Sequence, residues 1–111
     1  KIEEFRFDAE QLRRIVINLI KNSKEAGATL VKFKVEQNDE STILYVVDNG
    51  EGIEENIQDK IFEDKFTTKL EGMGIGLFLT KTILNAFNSN IELSKSDKTE
   101  TIFKIIFNRE N

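Results

Sequence analysis

The sequence predicts a two-layer α/β (α+β) sandwich, in which helices cover one face of a mixed β-sheet. Some segments alternate apolar and polar residues as strands do, and others have the apolar spacing of helices. Along the chain they follow the order β-α-β-β-α-loop-α-β-β. The chain of 111 residues also has the length of one domain and contains no internal repeat or linker. We therefore expect residues 1–111 to form one domain with a modest core.

The first two predicted elements are a short strand and a long helix. Residues 1–7 alternate loosely as in a strand, and because the chain begins abruptly there we expect a fragment of a larger protein. Asp8 starts a capping box that runs to Gln11 and opens a helix over about residues 8–26. Gly27 stands where a C-terminal helix cap belongs. The apolar stripe of this helix consists of Leu12, Ile15, Val16, Leu19 and Ile20.

The middle of the chain predicts a hairpin followed by a short helix. Residues 30–36 alternate apolar and charged side chains, which predicts a half-buried strand, and residues 42–47 predict a more buried strand paired with it. Residues 54–62 form a short amphipathic helix, because isoleucines recur there at a spacing of four. The apolar residues of the first strand are Val31, Phe33 and Val35.

The last part of the chain predicts a helix and a second hairpin. Residues 63–71 are polar and break the periodicity before a helix over about residues 75–88. Strands at 91–95 and 101–107 then form the hairpin. The apolar residues of the helix are Leu77, Phe78, Leu79, Ile83, Leu84 and Phe87, and those on one face of the final strand are Phe103, Ile105 and Phe107.

Composition excludes several classes of function. The net charge of −4 argues against broad nucleic-acid binding, which needs a basic surface. No apolar run approaches the ~20 residues of a membrane span, so we expect no membrane contact by this domain. The chain has no cysteine and no histidine, which excludes disulfides, thiolate or imidazole metal sites and a histidine base. Its chemistry must use carboxylates, amides, hydroxyls, lysines and backbone groups.

The glycines are concentrated in two clusters, Gly50 with Gly52 and Gly72 with Gly74 and Gly76. Glycine lets the backbone approach a ligand closely. The second cluster immediately precedes a predicted helix, whose first N–H groups and positive dipole end can hold phosphate. Alternating glycines also occur in ordinary loops, so this pattern alone is a weak signal.

Other polar residues could complete a nucleotide site. Asn18 and Asn22 share one helix face, which indicates either ligand contacts or a solvated polar face. Asp48 ends a buried strand and could accept a hydrogen bond from an exocyclic amine. Asn49 with Gly50 is also a common hairpin turn, but the following segment reads as helical rather than as a returning strand.

The order and spacing of four segments resemble a known family. Residues 18–26 (NLIKNSKEA) are similar to its N-box, 48–52 (DNGEG) to its first glycine box, 61–69 (IFEDKFTTK) to its phenylalanine box and 72–77 (GMGIGL) to its second glycine box. The chain thus resembles the ATP-binding catalytic domain of sensor histidine kinases, in the Bergerat (GHKL) class with DNA gyrase, the MutL repair proteins and the large heat-shock chaperones. The resemblance covers essentially the whole chain and implies the Bergerat ATP-binding fold.

The resemblance implies roles for the residues around the nucleotide. Asn22 would coordinate Mg²⁺, which bridges the ATP phosphates and accepts oxygen ligands. Asp48 would accept the adenine amino group, with Gly50 and Gly52 allowing the base a close approach. Ile53 and Ile61 would form an apolar wall beside the ring, and Thr101 would support the adenine site.

The phosphate side of the site is assigned by the same resemblance. The lid would run from Phe66 to Glu71, with hydroxyl and lysine groups near the phosphates; a solvated loop is the plainer alternative for this segment. The residues assigned to the phosphates and lid are Phe66, Thr67, Thr68, Lys69, Gly72, Gly74, Ile75, Gly76 and Leu77, the last through its backbone N–H.

Asn18 separates the branches of this class. The hydrolytic members carry a glutamate there that activates water, which asparagine cannot do. The resemblance therefore favours phosphoryl transfer, with Asn18, Asn22 and Lys69 as the catalytic set. The nucleophile would be a histidine on a separate dimerisation domain, so we expect this chain not to autophosphorylate alone. A response regulator would be an indirect partner, and we expect a cytoplasmic domain whose parent can be membrane-anchored.

Some residues depart from the family pattern, and rival functions remain. Glu54 stands where a proline is usual, and Lys65 stands where an aromatic residue is usual. One rival is an anti-sigma-factor-like serine kinase of the same fold. Another is a regulatory module that binds nucleotide without catalysis, and a third, disfavoured by Asn18, is a hydrolytic ATPase.

Overall fold

A computed structural model describes residues 6–63 and 73–108 of the chain, with the backbone alone at 73–75. Two helices pack on one face of a four-stranded sheet, which confirms the predicted two-layer fold. The predicted strand at residues 1–7 lies outside the described residues except for its last two positions, which are not in a strand. The helices are α1 (Ala9–Glu25) and α2 (Met73–Ala86), and the strands are β1 (Val31–Gln37), β2 (Ser41–Asp48), β3 (Ser89–Ser96) and β4 (Thr101–Asn108).

The sheet has the strand order β1-β2-β4-β3. We expected a mixed sheet from the sequence. Every pairing among the described strands is instead antiparallel. Both predicted hairpins are present, as β1–β2 and as β3–β4. The direct pairing of β2 with β4 places the two hairpins side by side and puts the end of β2 at the centre of the sheet.

Helix α1 has the ends that its sequence predicts. The carboxylate of Asp8 accepts the N–H of Gln11 at 3.0 Å, which caps the first turn. At the other end Gly27 has a φ of +82°, its N–H donates to the carbonyl of Lys24, and the N–H of Ala28 donates to that of Ser23. This is a Schellman motif, in which glycine adopts the left-handed conformation without steric cost.

The core lies between the helices and the sheet and contains the predicted faces of β4 and α1. Five apolar residues that the helical or strand spacing placed inward are instead exposed: Ile20 at 42%, Phe33 at 47%, Val35 at 43%, Leu79 at 45% and Phe87 at 39%. Phe33 and Val35 lie on β1, an edge strand whose extensive contacts among the described elements are with β2. The buried apolar residues are Ile15, Leu19, Val46, Ile61, Leu77, Leu84, Ile91, Phe103, Ile105 and Phe107.

The predicted helix at residues 54–62 is a 3₁₀ helix, Glu55–Lys60. In this segment the N–H of Ile57 donates to the carbonyl of Glu54 at 3.1 Å. This hydrogen bond spans three residues, as in a 3₁₀ helix, rather than the four of an α-helix. A segment of six residues gains too few α-helical bonds to offset the ordering of its first turn. The following residue, Ile61, is buried in the core and anchors the segment.

Candidate nucleotide-binding site

Asp48 is the last residue of β2 and has a side chain that is 5% exposed. Its Oδ2 accepts the hydroxyl of Ser23 at 2.7 Å, and its Oδ1 accepts the N–H of Gly50 at 2.8 Å. A carboxylate offers about four lone-pair positions, so two hydrogen bonds leave capacity for further donors. Asp48 is therefore held rigidly in an orientation that can still accept a hydrogen bond from a ligand amine.

Ser23 is a residue of the site that the sequence reasoning did not assign. It is 3% exposed, and it orients Asp48 from the last turn of α1. A signal for it was available, because Ser23 lies four residues after the core residue Leu19 and thus faces inward on the same helix stripe. A buried serine on such a stripe needs a polar partner, and the buried strand end at Asp48 supplies one.

The loop after Asp48 packs tightly against the end of α1. The N–H of Glu51 donates to the carbonyl of Ala26 at 2.9 Å, and the Oδ1 of Asn49 accepts the N–H groups of Thr29 and Leu30. A Cβ added at Gly50 would lie 3.0 Å from the Cβ of Ala26. Packing against α1 thus explains the glycine at position 50, and close approach of an adenine base there stays a prediction.

Gly52 meets the turn between β3 and β4. Its φ is +87°, and a Cβ built on it would lie 2.2 Å from the carbonyl oxygen of Asp97. Both the backbone conformation and the space exclude a side chain at this position. The next residue, Ile53, is half-buried and available as a wall, whereas Ile61 is 1% exposed in the core and offers a ligand almost no surface.

Thr101 lies directly beside this loop. It is the first residue of β4, pairs across the sheet with Asp48 and is 4% exposed. Its Oγ1 lies 2.8 Å from the Oγ of Ser96, which also accepts the N–H of Ile53. The residues assigned to the adenine side are thus brought together, with Asp48, Ile53 and Thr101 joined through backbone pairing and one serine.

The second half of the site lies where α1 meets α2. A Cβ built on Gly76 would lie 3.7 Å from the Cγ of Asn18 and 3.8 Å from the Oδ1 of Asn22. Asn22 is 5% exposed, and its Nδ2 is buried without a hydrogen-bond partner among the described residues. A buried amide without a partner costs about 1–3 kcal/mol. An exogenous ligand that pairs with this amide would remove that cost.

The residues present fit a magnesium ion shared with a ligand. The Oδ1 of Asn22 already lies beside Gly76, and Mg²⁺ favours oxygen ligands while keeping waters and substrate phosphates. Within the described ranges no group of three or more potential His, Cys, Asp or Glu ligands exists. A single amide oxygen, as Asn22 offers, suits a metal whose other ligands are waters and substrate phosphates.

Several residues assigned to the phosphates cannot be placed. The predicted lid and the first glycine of the second cluster lie outside the described residues, and for Gly74 and Ile75 only the helical backbone is described. Leu77 is fully buried, so its side chain serves the core while its N–H lies in the first turns of α2. The assigned residues outside the described ranges are Phe66, Thr67, Thr68, Lys69 and Gly72.

Two surface hollows lie away from Asp48. One of about 460 Å³ is on the sheet face that the helices leave open, where Lys32 and Tyr45 are among its lining residues. The other, of about 440 Å³, lies between α1 and α2 beside Ile17 and Leu79. Neither is lined by Asp48, but Asn18 is among the lining residues of the second, which therefore adjoins the α1–α2 half of the candidate site.

A four-stranded antiparallel sheet with helices on one face is the architecture expected of the Bergerat class, and comparison with known proteins agrees. Residues 7–111 match the family described as "Histidine kinase-, DNA gyrase B-, and HSP90-like ATPase". The chain therefore belongs to this family.

Relatives of this chain include proteins named as kinases. The chain is 37% identical over 103 residues to sporulation kinase A of Bacillus subtilis and 31% identical over 102 residues to the signal transduction histidine-protein kinase AtoS of Escherichia coli. These alignments cover 90% and 89% of this chain but only 17% of each relative. The chain thus corresponds to a small part of those proteins.

Solved structures show the same fold. The catalytic domain of histidine kinase ThkA superposes with a TM-score of 0.80 at 25% identity, over 95% of this chain and 70% of that one. The mycobacterial sensor histidine kinase MprB superposes with a TM-score of 0.74 at 21% identity, over 96% of this chain and 77% of that one. In the described part of this chain, no helix has the length and apolarity needed to cross a membrane.

Proposed function

We propose that this domain binds Mg-ATP and donates the γ-phosphoryl group to a histidine on a separate dimerisation domain of a two-component signalling kinase. The observation that carries the proposal is the arrangement of two consecutive residues on α1. The Ser23 hydroxyl donates to Asp48 at 2.7 Å, while the side chain of Asn22 lies beside Gly76 of α2 and its buried Nδ2 has no partner among the described residues. One helix turn thus connects a base-binding carboxylate to a phosphate-binding helix start.

The adenine half of the proposal rests on the acceptor character of Asp48. Its two oxygens already accept from Ser23 and Gly50, which fixes the plane of the carboxylate. An adenine amino group donates to such an acceptor, whereas guanine presents a carbonyl oxygen at the equivalent ring position and leaves the acceptor unpaired. Sites built around a fixed hydrogen bond reject analogues that lack its partner. We therefore expect ATP to bind more tightly than GTP.

The phosphate half rests on α2 and the two asparagines. The first turn of a helix presents N–H groups and a positive dipole end, and a Cβ built on Gly76 in α2 would reach Asn18 and Asn22 only at van der Waals distance. Asn22 would hold Mg²⁺, which neutralises phosphate charge when bound. Thr67, Thr68 and Lys69 are proposed as further phosphate contacts because hydroxyl and ammonium groups donate to phosphate oxygens.

The proposed reaction needs a nucleophile from outside this sequence, which contains no histidine. A histidine nitrogen attacks the γ-phosphorus, a P–N bond forms, and the bond to the bridging oxygen breaks as ADP leaves. The protein's part is to orient the phosphates and stabilise their charge. Asn18 has no carboxylate to activate water, so hydrolysis is disfavoured against transfer. A response regulator would take the phosphoryl group afterwards.

Calorimetric titration and a phosphotransfer assay test this function. We expect the chain to bind ATP in the presence of Mg²⁺, more weakly without the metal, and to bind GTP at least about tenfold more weakly, since a lost hydrogen bond to a charged acceptor is worth ~1.5–3 kcal/mol. With a histidine-bearing helical hairpin added, labelled phosphate should move to that hairpin. Steady ATP hydrolysis without transfer would contradict the kinase assignment, and an absence of ATP binding would contradict the whole proposal.

A further inference from the structure

The peptide of Ile53 is held by two side chains rather than by strand pairing. The Oγ of Ser96 accepts the N–H of Ile53 at 2.8 Å, and the Nε2 of Gln58 donates to the Ile53 carbonyl at 2.8 Å. Gln58 also donates to the carbonyl of Ser96 at 3.4 Å. The position of Ile53 is therefore set by groups on β3 and on the 3₁₀ helix, and not by the loop's own backbone.

A β-bulge in β3 aims Ser96 at this loop. Leu93 faces the core, and with regular alternation Lys95 would share its face. The register shifts between Leu93 and Lys95, so Ser94 is the extra residue and Ser96, not Lys95, lies opposite Thr101. A bulge commonly re-aims a side chain in this way. Without it a lysine would stand where the serine hydroxyl now meets the loop.

The same hydroxyl connects the loop to the strand position beside Asp48. The Ser96 Oγ lies 2.8 Å from the Oγ1 of Thr101, and Thr101 pairs across the sheet with Asp48. Both Thr101 and Asp48 are buried, at 4% and 5% exposure. One serine thus joins Ile53, on the loop, to the pair of residues that the proposed function assigns to the adenine base.

The packing around Ser96 leaves the loop little freedom. A Cβ built on Gly52 would lie 3.3 Å from the Ser96 Oγ and nearer still to the carbonyl of Asp97. Loss of the hydroxyl would leave the N–H of Ile53 without its partner in a half-buried position, a cost that favours displacement of the loop. Displacement of Ile53 would move the proposed adenine wall while leaving α1 and α2 in place.

We propose that Ser96 is a positioning residue for the base-binding loop, a role that rests on the proposed function. It acts through Ile53 and Thr101 and touches neither the base nor the phosphates. Its effect is therefore confined to the part of the affinity that adenine supplies. A residue that merely stabilised the fold would instead weaken base and phosphate binding together.

The test compares Ser96→Ala with Ser94→Ala, an exposed serine two residues earlier on the same strand. Calorimetry measures Mg²⁺-dependent binding of ATP and of inorganic tripolyphosphate, which carries the phosphates without a base. S96A should weaken ATP binding about fivefold, the usual effect of one hydrogen bond, and leave tripolyphosphate binding unchanged. S94A should change neither, and Ser96→Thr, which keeps the hydroxyl, should bind ATP as the parent does.

Amide hydrogen exchange provides a second readout that needs no ligand. The N–H of Ile53 should exchange at least about fivefold faster in S96A than in the parent and at the parent rate in S94A. Unchanged ATP affinity in S96A, or equal losses for ATP and tripolyphosphate, would overturn the positioning role alone. A parent that binds no ATP would overturn the proposed function and this role with it.

Discussion

Replacing Gly76 with alanine should stabilise the fold and weaken nucleotide binding. Gly76 lies on the helical backbone of α2, where alanine is favoured over glycine by up to about 1 kcal/mol. The contacts that a Cβ would make there, 3.7 Å to Asn18 and 3.8 Å to Asn22, are ordinary van der Waals distances. Nothing in the described residues therefore requires glycine at this position, whereas a ligand bound in this space would.

The magnitudes follow from the same geometry. A gain of about 1 kcal/mol corresponds to a rise in Tm of roughly 4 °C for a domain of this size. The added methyl would occupy the space beside the Asn22 Oδ1, where the metal and phosphates are proposed to lie. Overpacking a fitted site costs about 1–3 kcal/mol, which is roughly a 5- to 150-fold loss of ATP affinity.

Thermal unfolding and calorimetry on Gly76→Ala measure both effects. Asn85→Ala is the matched control, because Asn85 is an exposed residue of the same helix and its replacement should raise Tm slightly without changing ATP affinity. A Gly76→Ala variant that binds ATP as tightly as the parent would refute the placement of phosphate between α1 and α2. A variant that loses stability would refute the packing argument.

Three other changes test separate parts of the structure. In Asp48→Asn the amide oxygen can accept from Gly50 and the amide NH2 can donate to the Ser23 hydroxyl, so both contacts persist with the second one reversed, but the charge that receives the adenine amine is lost. Calorimetry should show about 10- to 150-fold weaker ATP binding, and unchanged affinity would exclude the adenine assignment. In denaturant titrations Gly52→Ala should lower the free energy of unfolding by more than Gly27→Ala does. Both glycines have a φ above +80°, but only at position 52 would the added Cβ also lie 2.2 Å from a backbone oxygen, that of Asp97. Equal losses of stability would refute the contact with Asp97. Asp97 accepts hydrogen bonds from the hydroxyl and N–H of Thr99 and from the N–H of Glu100, which hold its pKa at about 2, below the ordinary value of 3.8. The ionised carboxylate therefore contributes stability above pH 3.8, and this stability is lost as the pH falls toward 2. Carbon-detected NMR titration should give a pKa of about 2 for Asp97, and Thr99→Ala should raise that pKa.

Features that depend on residues close in sequence, such as helix caps and the alternation of a central strand, were predictable from the sequence. Asp8 and Gly27 mark the ends of α1, because capping depends on neighbouring residues alone. The alternation of Phe103, Ile105 and Phe107 locates the buried face of β4, since that strand lies in the centre of the sheet. Family resemblance supplied the functional assignments, which periodicity by itself left open.

The features that depend on neighbours distant in sequence were not predictable. Phe33 alternates as an inward residue, but its exposure depends on β1 being the edge strand, which no local pattern states. The bulge at Ser94 falls in a polar run without apolar markers of its register. Ser23 becomes important only when β2 brings Asp48 to α1, a contact across 25 residues.

The Schellman end of α1 has a consequence for how the domain responds to strain. The carbonyl of Ala26 is occupied by the N–H of Glu51, and Asn49 bonds the backbone of Thr29 and Leu30, so the helix end and the loop form a closed ring of hydrogen bonds. Such a ring opens as a unit, because breaking one bond leaves the others poorly aligned. The Oγ1 of Thr29 also accepts the Nδ2 of Asn49 at 2.9 Å, so we expect a substitution that removes this exposed hydroxyl to loosen the ring next to Asp48.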